Sequence, residues 1–156
     1  MTTSEGVFWI KKERIVYKIE YADSYKILNS KLISEHAGET DRNGQVKVLS
    51  NLQILKPECV CTDSYLIIGK YPNIAEVTAA FKYLKTRFSR FLLQLAVSSV
   101  NLSKDKFQFV PLQDFTSSSD IDWSASVADI DRQLYAKYNL TAEEIAFVEK
   151  MIKPME

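Results

Sequence analysis

Histidine occurs once in this chain of 156 residues, at His36, and cysteine only twice, at Cys59 and Cys61. A serine or cysteine nucleophile needs a base beside it, so a single histidine in a polar stretch argues against a catalytic triad. A structural zinc needs four ligands, and the cysteine pair, spaced to point the same way if it lies on a strand, would have to find two more. The pair reads instead as two half-buried thiols of a reducing compartment. The four glycines, Gly6, Gly38, Gly44 and Gly69, are too scattered for a GxGxxG turn or a P-loop, which removes both common nucleotide cradles. Metal-dependent nucleases gather carboxylates on a strand edge. The nearest imitation, Asp63 with Lys70 across "DSYLIIGK", has no second acid in the strand, and Asp63 reads as a turn residue. No catalytic, cofactor-binding or metal-ligating residue is expected, and the chain reads as a binding module rather than an enzyme.

Long apolar runs are missing as well. The longest, "FLLQLAV" at 91–97, falls far short of the about 20 residues a membrane-spanning helix requires. The opening "MTTSEGVFWIKKER" lacks the basic-then-apolar order of a secretory signal, so a cytoplasmic protein with no membrane partner is expected. Net charge is absent only in the sum: residues 1–112 hold 16 Lys and Arg against 11 Asp and Glu, whereas 113–156 hold 4 against 9. A positive body with an acidic tail can meet a polyanion on one side, although a purely structural dipole has the same signature.

What is present reads as strands first. "GVFWI", "RIVYKIEY" and "DSYKILNSKLI" are rich in aromatic and β-branched residues, with Tyr25, Ile27 and Leu32 as candidate buried positions. "SEHAGETDRNGQ", residues 34–45, is a polar loop ending in the Asn43-Gly44 turn signal. Beyond it "VKVLS", "LQILKP" and "ECVC" resume strand patterns, and Tyr65–Ile68 suits a strand buried on both faces before Gly69 and Pro72 stop it. Asn73 then caps a helix in which Ile74, Val77, Phe81, Leu84, Phe88, Phe91 and Leu95 recur at spacings of three and four, a core stripe. At 100° per residue Lys82 and Arg90 point away from that stripe and Lys85 and Arg87 flank it, leaving a basic face with no acid after Glu76. "NLSKDKFQFVP" adds Lys104, Lys106 and a short strand in which Phe107 and Phe109 alternate with Gln108. "TSSSD" reads as a flexible linker. Val127, Ile130 and Leu134 mark one acidic helix, and the Thr141–Glu144 capping box opens a second along Ile145, Val148 and Ile152. The expected fold is α+β: a small mixed or antiparallel sheet packed on one long helix with a C-terminal helical hairpin. Residues 1–115 form the α+β domain, and 116–156 form an acidic helical tail packed on it.

Four segments carry a resemblance: Thr62–Gly69 "TDSYLIIG", Tyr83–Leu92 "YLKTRFSRFL", Phe107–Phe115 "FQFVPLQDF" and Leu134–Glu156 "LYAKYNLTAEEIAFVEKMIKPME". Together they resemble the C-terminal region of bacterial type II restriction-modification adenine methyltransferases, some of which carry a nuclease in the same polypeptide. The earlier "YKILNSKLISEHAGETDRNGQVKVLSN" is similar to that family's strand, polar loop and strand, so the likeness runs from about Tyr25 onward. It implies a DNA target-recognition domain, whose upstream neighbour binds S-adenosylmethionine and methylates the exocyclic amine of a flipped adenine. That neighbour's glycine-rich motif is absent here, and none of Pro57, Pro72, Pro111 and Pro154 sits in an Asn/Asp-Pro-Pro-aromatic motif. The chain is therefore expected not to be an enzyme by itself and to hold no cofactor; S-adenosylmethionine belongs to the missing domain. Its implied partners are double-stranded DNA and a methyltransferase catalytic domain, in the same polypeptide or as a separate subunit.

Under that resemblance the basic helix acquires a task. Lys82, Lys85, Arg87, Arg90, Lys104 and Lys106 would neutralise phosphates and position the domain, while loop 34–45 reads base edges. Arg42 would fork onto a guanine, Asn43 or Gln45 onto an adenine, and His36 or Lys31 would touch phosphate. A competing arrangement pairs Arg87 and Arg90 with tail acids such as Asp129, Glu143 and Glu144, in which case the DNA face lies elsewhere. A different class of function, a non-DNA-binding assembly module that docks on a separate methyltransferase domain, would expose apolar residues such as Leu93 or Phe147 in a patch.

Overall fold

In the computed structural model, which describes residues 1–3, 6–7, 9–15, 21–31, 40–49, 51–97 and 102–155, the chain opens with β1 (Thr2–Thr3) paired antiparallel to β2 (Gly6–Val7). Of the strand expected at 14–21 and the polar loop at 34–45, residues 16–20 and 34–39 lie outside the described residues, as do Leu32 and His36. The main sheet is antiparallel in the order β4 (Gln53–Leu55), β3 (Tyr25–Ser30), β5 (Tyr65–Tyr71), with Ile27 opposite Ile54 on one side and Ile68 on the other. The architecture is mixed α+β.

The strand covered on both faces is β3, where Lys26, Ile27, Leu28 and Asn29 are all buried. The sequence pattern assigned that role to Tyr65–Ile68, but β5 forms the sheet edge and only Leu66 in it is buried. Full burial of Ile27 and Leu28 stabilises the fold by roughly 1.5–3 kcal/mol each. The Lys26 ammonium is satisfied internally, donating to the carbonyls of Tyr21 at 2.7 Å, Ser24 at 2.8 Å and Lys56 at 3.4 Å. Its burial pulls its pKa down. Strand β5 also runs through Gly69 rather than ending there. Gly69 has φ 70°, and a Cβ at that position would lie 2.3 Å from the Tyr71 hydroxyl, so only glycine lets the tyrosine fold back over the strand.

The long helix is two. Helix α1 (Ile74–Lys85) is capped by the Asn73 side chain, which accepts from the Glu76 N–H, and α2 (Arg87–Ala96) starts afresh after Thr86. Thr86 has φ −61° and ψ 149°; its hydroxyl accepts the Ser89 N–H and donates to the Tyr83 carbonyl at 2.6 Å. This is the local competition between a β-hydroxyl and the helix ladder, and here the hydroxyl wins. The ends of the predicted stripe are not core: Ile74, the first residue of α1, is 53% and Leu95 64% exposed, while beyond the break Ser89 and Arg90 are buried.

Four other expectations change. "VKVLS" supplies no regular strand: Val46 makes an isolated parallel bridge with Ile152, and Val48 takes φ 63°. Lys104–Phe109 is a 3-10 helix rather than a strand. Cys59 and Cys61 sit in the irregular connection between β4 and β5, half-buried and unpaired with each other. "TSSSD" is pinned rather than loose, through Thr116 N–H to Asp114, Ile121 N–H to Ser119 and the Asp120–Lys137 ion pair at 2.8 Å. Helices α3 (Val127–Lys137) and α4 (Ala142–Met151) follow, the latter opening with the Thr141–Glu144 capping box. They bury Ile130, Leu134, Tyr135 and Val148 against Tyr83 and Phe88 in one core cluster, while Ile152 joins the other, with Ile27, Leu66 and Leu84.

Candidate nucleic-acid interface

The basic face of α1 and α2 is largely turned to internal use. Lys82 Nζ donates to the carbonyls of Trp123, Ser124 and Ala125 at 2.9–3.0 Å, gathering the turn that leads into α3. Arg90 has no exposed surface; its Nε donates to the Lys85 and Thr86 carbonyls and its Nη1 to the Lys47 carbonyl at 3.2 Å. The expectation that Arg90 points away from the core is thus corrected. The break at Thr86 rotates α2 so that this position faces inward. Burial pulls the guanidinium down to about 10, so it stays charged at neutral pH. Arg87 Nη1 lies 3.4 Å from the Glu149 carboxylate of α4. Lys85 holds its ammonium 5.1 Å over the Phe81 ring. The tail acids that meet the basic helix are Glu149 and Asp131, not Asp129, which pairs with Arg132, nor Glu144, which closes its own capping box.

Asp131 is the residue the sequence reading passed over. Its two carboxylate oxygens accept the Arg87 and Phe88 N–H groups at 2.9 Å each, filling the start of α2 that Thr86 opens. Burial pushes its carboxyl up, against the pull of those N–H groups and of Arg90. A signal was present: Asp131 lies on the same side of α3 as Ile130, Leu134 and Tyr135, and an acid on an apolar stripe demands a buried partner.

The described end of the polar loop is a tight, anchored turn. One Asp41 carboxylate oxygen accepts the N–H groups of Asn43 at 2.9 Å and Gln45 at 3.1 Å. The Asp41 N–H donates to the Gln45 carbonyl at 2.8 Å, and Gly44 adopts φ 77°. Those backbone donors, with Lys153 at 3.3 Å, hold the Asp41 carboxyl below its usual range. Gln45 Nε2 donates to the Glu149 carbonyl at 3.3 Å, and Val46 exchanges backbone hydrogen bonds with Met151 and Lys153. The turn is thereby clamped to the C-terminal segment, with Arg42, Asn43 and Gly44 exposed at its tip. Gln45 serves the clamp.

A second basic group lies along another edge. The Leu102 N–H donates to the Lys31 carbonyl at 2.8 Å, which ties the segment leading into the 3-10 helix of Lys104 and Lys106 to the residue after β3. Lys31 Nζ meets the exposed Asp63 carboxylate at 2.6 Å, Lys106 lies 3.5 Å from Asp105, and Lys104 stands 5.6 Å over the Tyr21 ring. Among the described residues no group of three His, Cys, Asp or Glu is placed to hold a metal, and no helix is long and apolar enough to cross a membrane. Of the two apolar markers of a docking face, Leu93 is buried and Phe147 is 54% exposed. Comparison with known proteins returns no match among family models, curated proteins or solved structures.

Proposed function

We propose that this chain is the DNA target-recognition module of a restriction-modification adenine methyltransferase or restriction enzyme, without catalysis of its own and working in the cytoplasm. The observation that carries the reading is the anchored turn at Asp41–Gln45, which presents Arg42 and Asn43 on a rigid support. A forked guanidinium suits guanine O6 and N7, and a carboxamide suits adenine N6 and N7. Base reading requires such donors to be held in place, and the clamp to Glu149, Met151 and Lys153 holds this tip. Lys31, Lys104 and Lys106 are the phosphate contacts in this reading, the Lys31–Asp63 and Lys106–Asp105 ion pairs being surface pairings that a polyanion can exchange. Lys82 and Arg90 drop out, because their donors are committed to carbonyls inside the fold. The resemblance assigns S-adenosylmethionine and methyl transfer to a separate catalytic domain that this module would direct.

Fluorescence anisotropy of the chain with labelled random-sequence duplex at several salt concentrations tests this. Affinity should fall linearly on a log–log plot with salt, and Lys31→Ala with Lys104→Ala should reduce the slope by about two. Against a selected sequence, Arg42→Ala should weaken binding by about 1–3 kcal/mol and relax preference at one base pair. No binding at the lowest salt would sink the reading and leave assembly with a catalytic partner as the chain's role.

A further inference from the structure

Between α2 and α4 runs an open groove of about 450 Å³ whose walls are Phe91 and Leu92 on one side and Phe147 and Val148 on the other. Phe147 stands edge-on to Phe91, ring centres 5.9 Å apart at 90°, and still leaves 54% of its surface in solvent. The contact aims the exposed ring into the groove instead of folding it flat. The charged residues lining the groove are both acidic, Glu143 and Glu144. They stand in the first turn of α4, within the part of the chain where acids outnumber bases 9 to 4.

From this geometry we infer that the groove docks a basic amphipathic helix of a partner protein. Two neighbouring helices leave a channel whose ridges accept a third, and an apolar floor selects an apolar stripe at helical spacing. The acidic rim decides what flanks that stripe: Lys and Arg on the incoming helix would find the Glu143 carboxylate and the Glu144 oxygen not used in the capping box, whereas acids would meet like charge. A second copy of this chain fits poorly, since a two-fold contact through the groove sets its own Glu143 and Glu144 against the same pair. A nucleic-acid duplex is repelled by the same rim. The groove is therefore a separate surface from the Arg42–Asn43 tip, and the inference does not depend on the DNA-reading role.

The test uses the full chain and a labelled synthetic helix of about 16 residues, roughly four turns, carrying Leu at i, i+3, i+7 and i+10 with Lys and Arg elsewhere. A second peptide replaces every Lys and Arg with Glu. The basic peptide should bind and the acidic one should not. Phe147→Ala should weaken binding about tenfold, as removal of a central aromatic anchor does. Glu143→Lys should weaken it as well, by a factor that shrinks as salt rises. Both positions are exposed, and circular dichroism of each variant verifies the fold. Phe147→Ala should leave duplex affinity unchanged, so failure here is distinguishable from failure of the DNA reading. Equal binding of the two peptides, binding of neither, or a dimer in sedimentation that Phe147→Ala dissociates would each overturn the inference.

Discussion

At Asp131 a single carboxylate settles three buried groups: the first two N–H donors of α2 and, electrostatically, the Arg90 guanidinium. Removing it leaves those donors without acceptors and a buried cation without its anion. Asp131→Ala should therefore cost about 3–5 kcal/mol, read as a lowered urea midpoint, whereas an exposed acid such as Glu143 should be near neutral on replacement. Asp131→Asn keeps one acceptor oxygen but no charge and should fall between. A midpoint unchanged by Asp131→Ala would show that water satisfies the start of α2 as well as the carboxylate does. The residue scale also explains which cations remain for a ligand. Arg90 and Lys82 are structural donors to carbonyls of distant segments, and Arg42 is the exposed forked cation of the anchored turn.

At the scale of the element, the decisive feature is the break between α1 and α2. Thr86 serves both helices, and the Ser89 hydroxyl supports it by donating to the Tyr83 carbonyl at 2.7 Å. Thr86→Ala should cost about 1–2 kcal/mol in chemical denaturation, near the upper range for a lost N-cap because the site is fully buried. Thr86→Ser should recover most of that loss. Should Thr86→Ala prove neutral, Asp131 alone would be holding the break. The turn that displays Arg42 is an element of the same kind, short and stabilised by one carboxylate and its backbone donors. The Asp41 carboxyl is held below its unfolded value, so its contribution is present above that value, near pH 3.8, and is lost as pH falls through the folded one.

The whole molecule is bound together through its C-terminal part. Ile152 lies in the main core, and the Val46 bridge, the Gln45 contact and the Arg87–Glu149 pair all reach α4 or the residues just after it. The opposite charges of the two parts are thus partly spent on each other. Burial also sets the response to alkali. Tyr71 is pushed up to about 12, and Tyr83 and Tyr135 are raised in the same direction by desolvation. Above pH 10 the unfolded chain sheds tyrosine protons that the folded chain retains, so stability should fall as pH rises from 10 to about 12. Arg90, pulled down to about 10, works the other way over that window, and Lys26, lowered from 10.5, opposes it below that value; three tyrosines outweigh them. Tyr71→Phe should remove about 2 kcal/mol of the alkaline loss, measured as urea midpoint against pH. An unchanged pH slope in that variant would place the loss at the other two tyrosines.

Much of this was legible in the sequence where the governing interaction is local. The Asn73 cap, the Thr141–Glu144 box, the stripe Ile130–Leu134 and the pairing strand around Ile27 each depend on residues within about one helical turn or on strand alternation, and periodicity reports both. The turn at Asn43-Gly44 belongs to the same class. The helix break was half legible: Thr86 is a cap residue by type, but a continuous apolar stripe ran across it, and the acceptor that completes α2 comes from α3, 44 positions away. What only the tertiary structure decided is the fate of the charged side chains. Lys82 finds its carbonyls 41 positions on and Arg90 reaches back 43, so a face that is basic on a helical wheel becomes an internal scaffold. The physical reason is range. Caps and periodicity act within a few residues, whereas a buried cation is settled by whichever carbonyls and acids the packed chain brings within 3 Å or so of it.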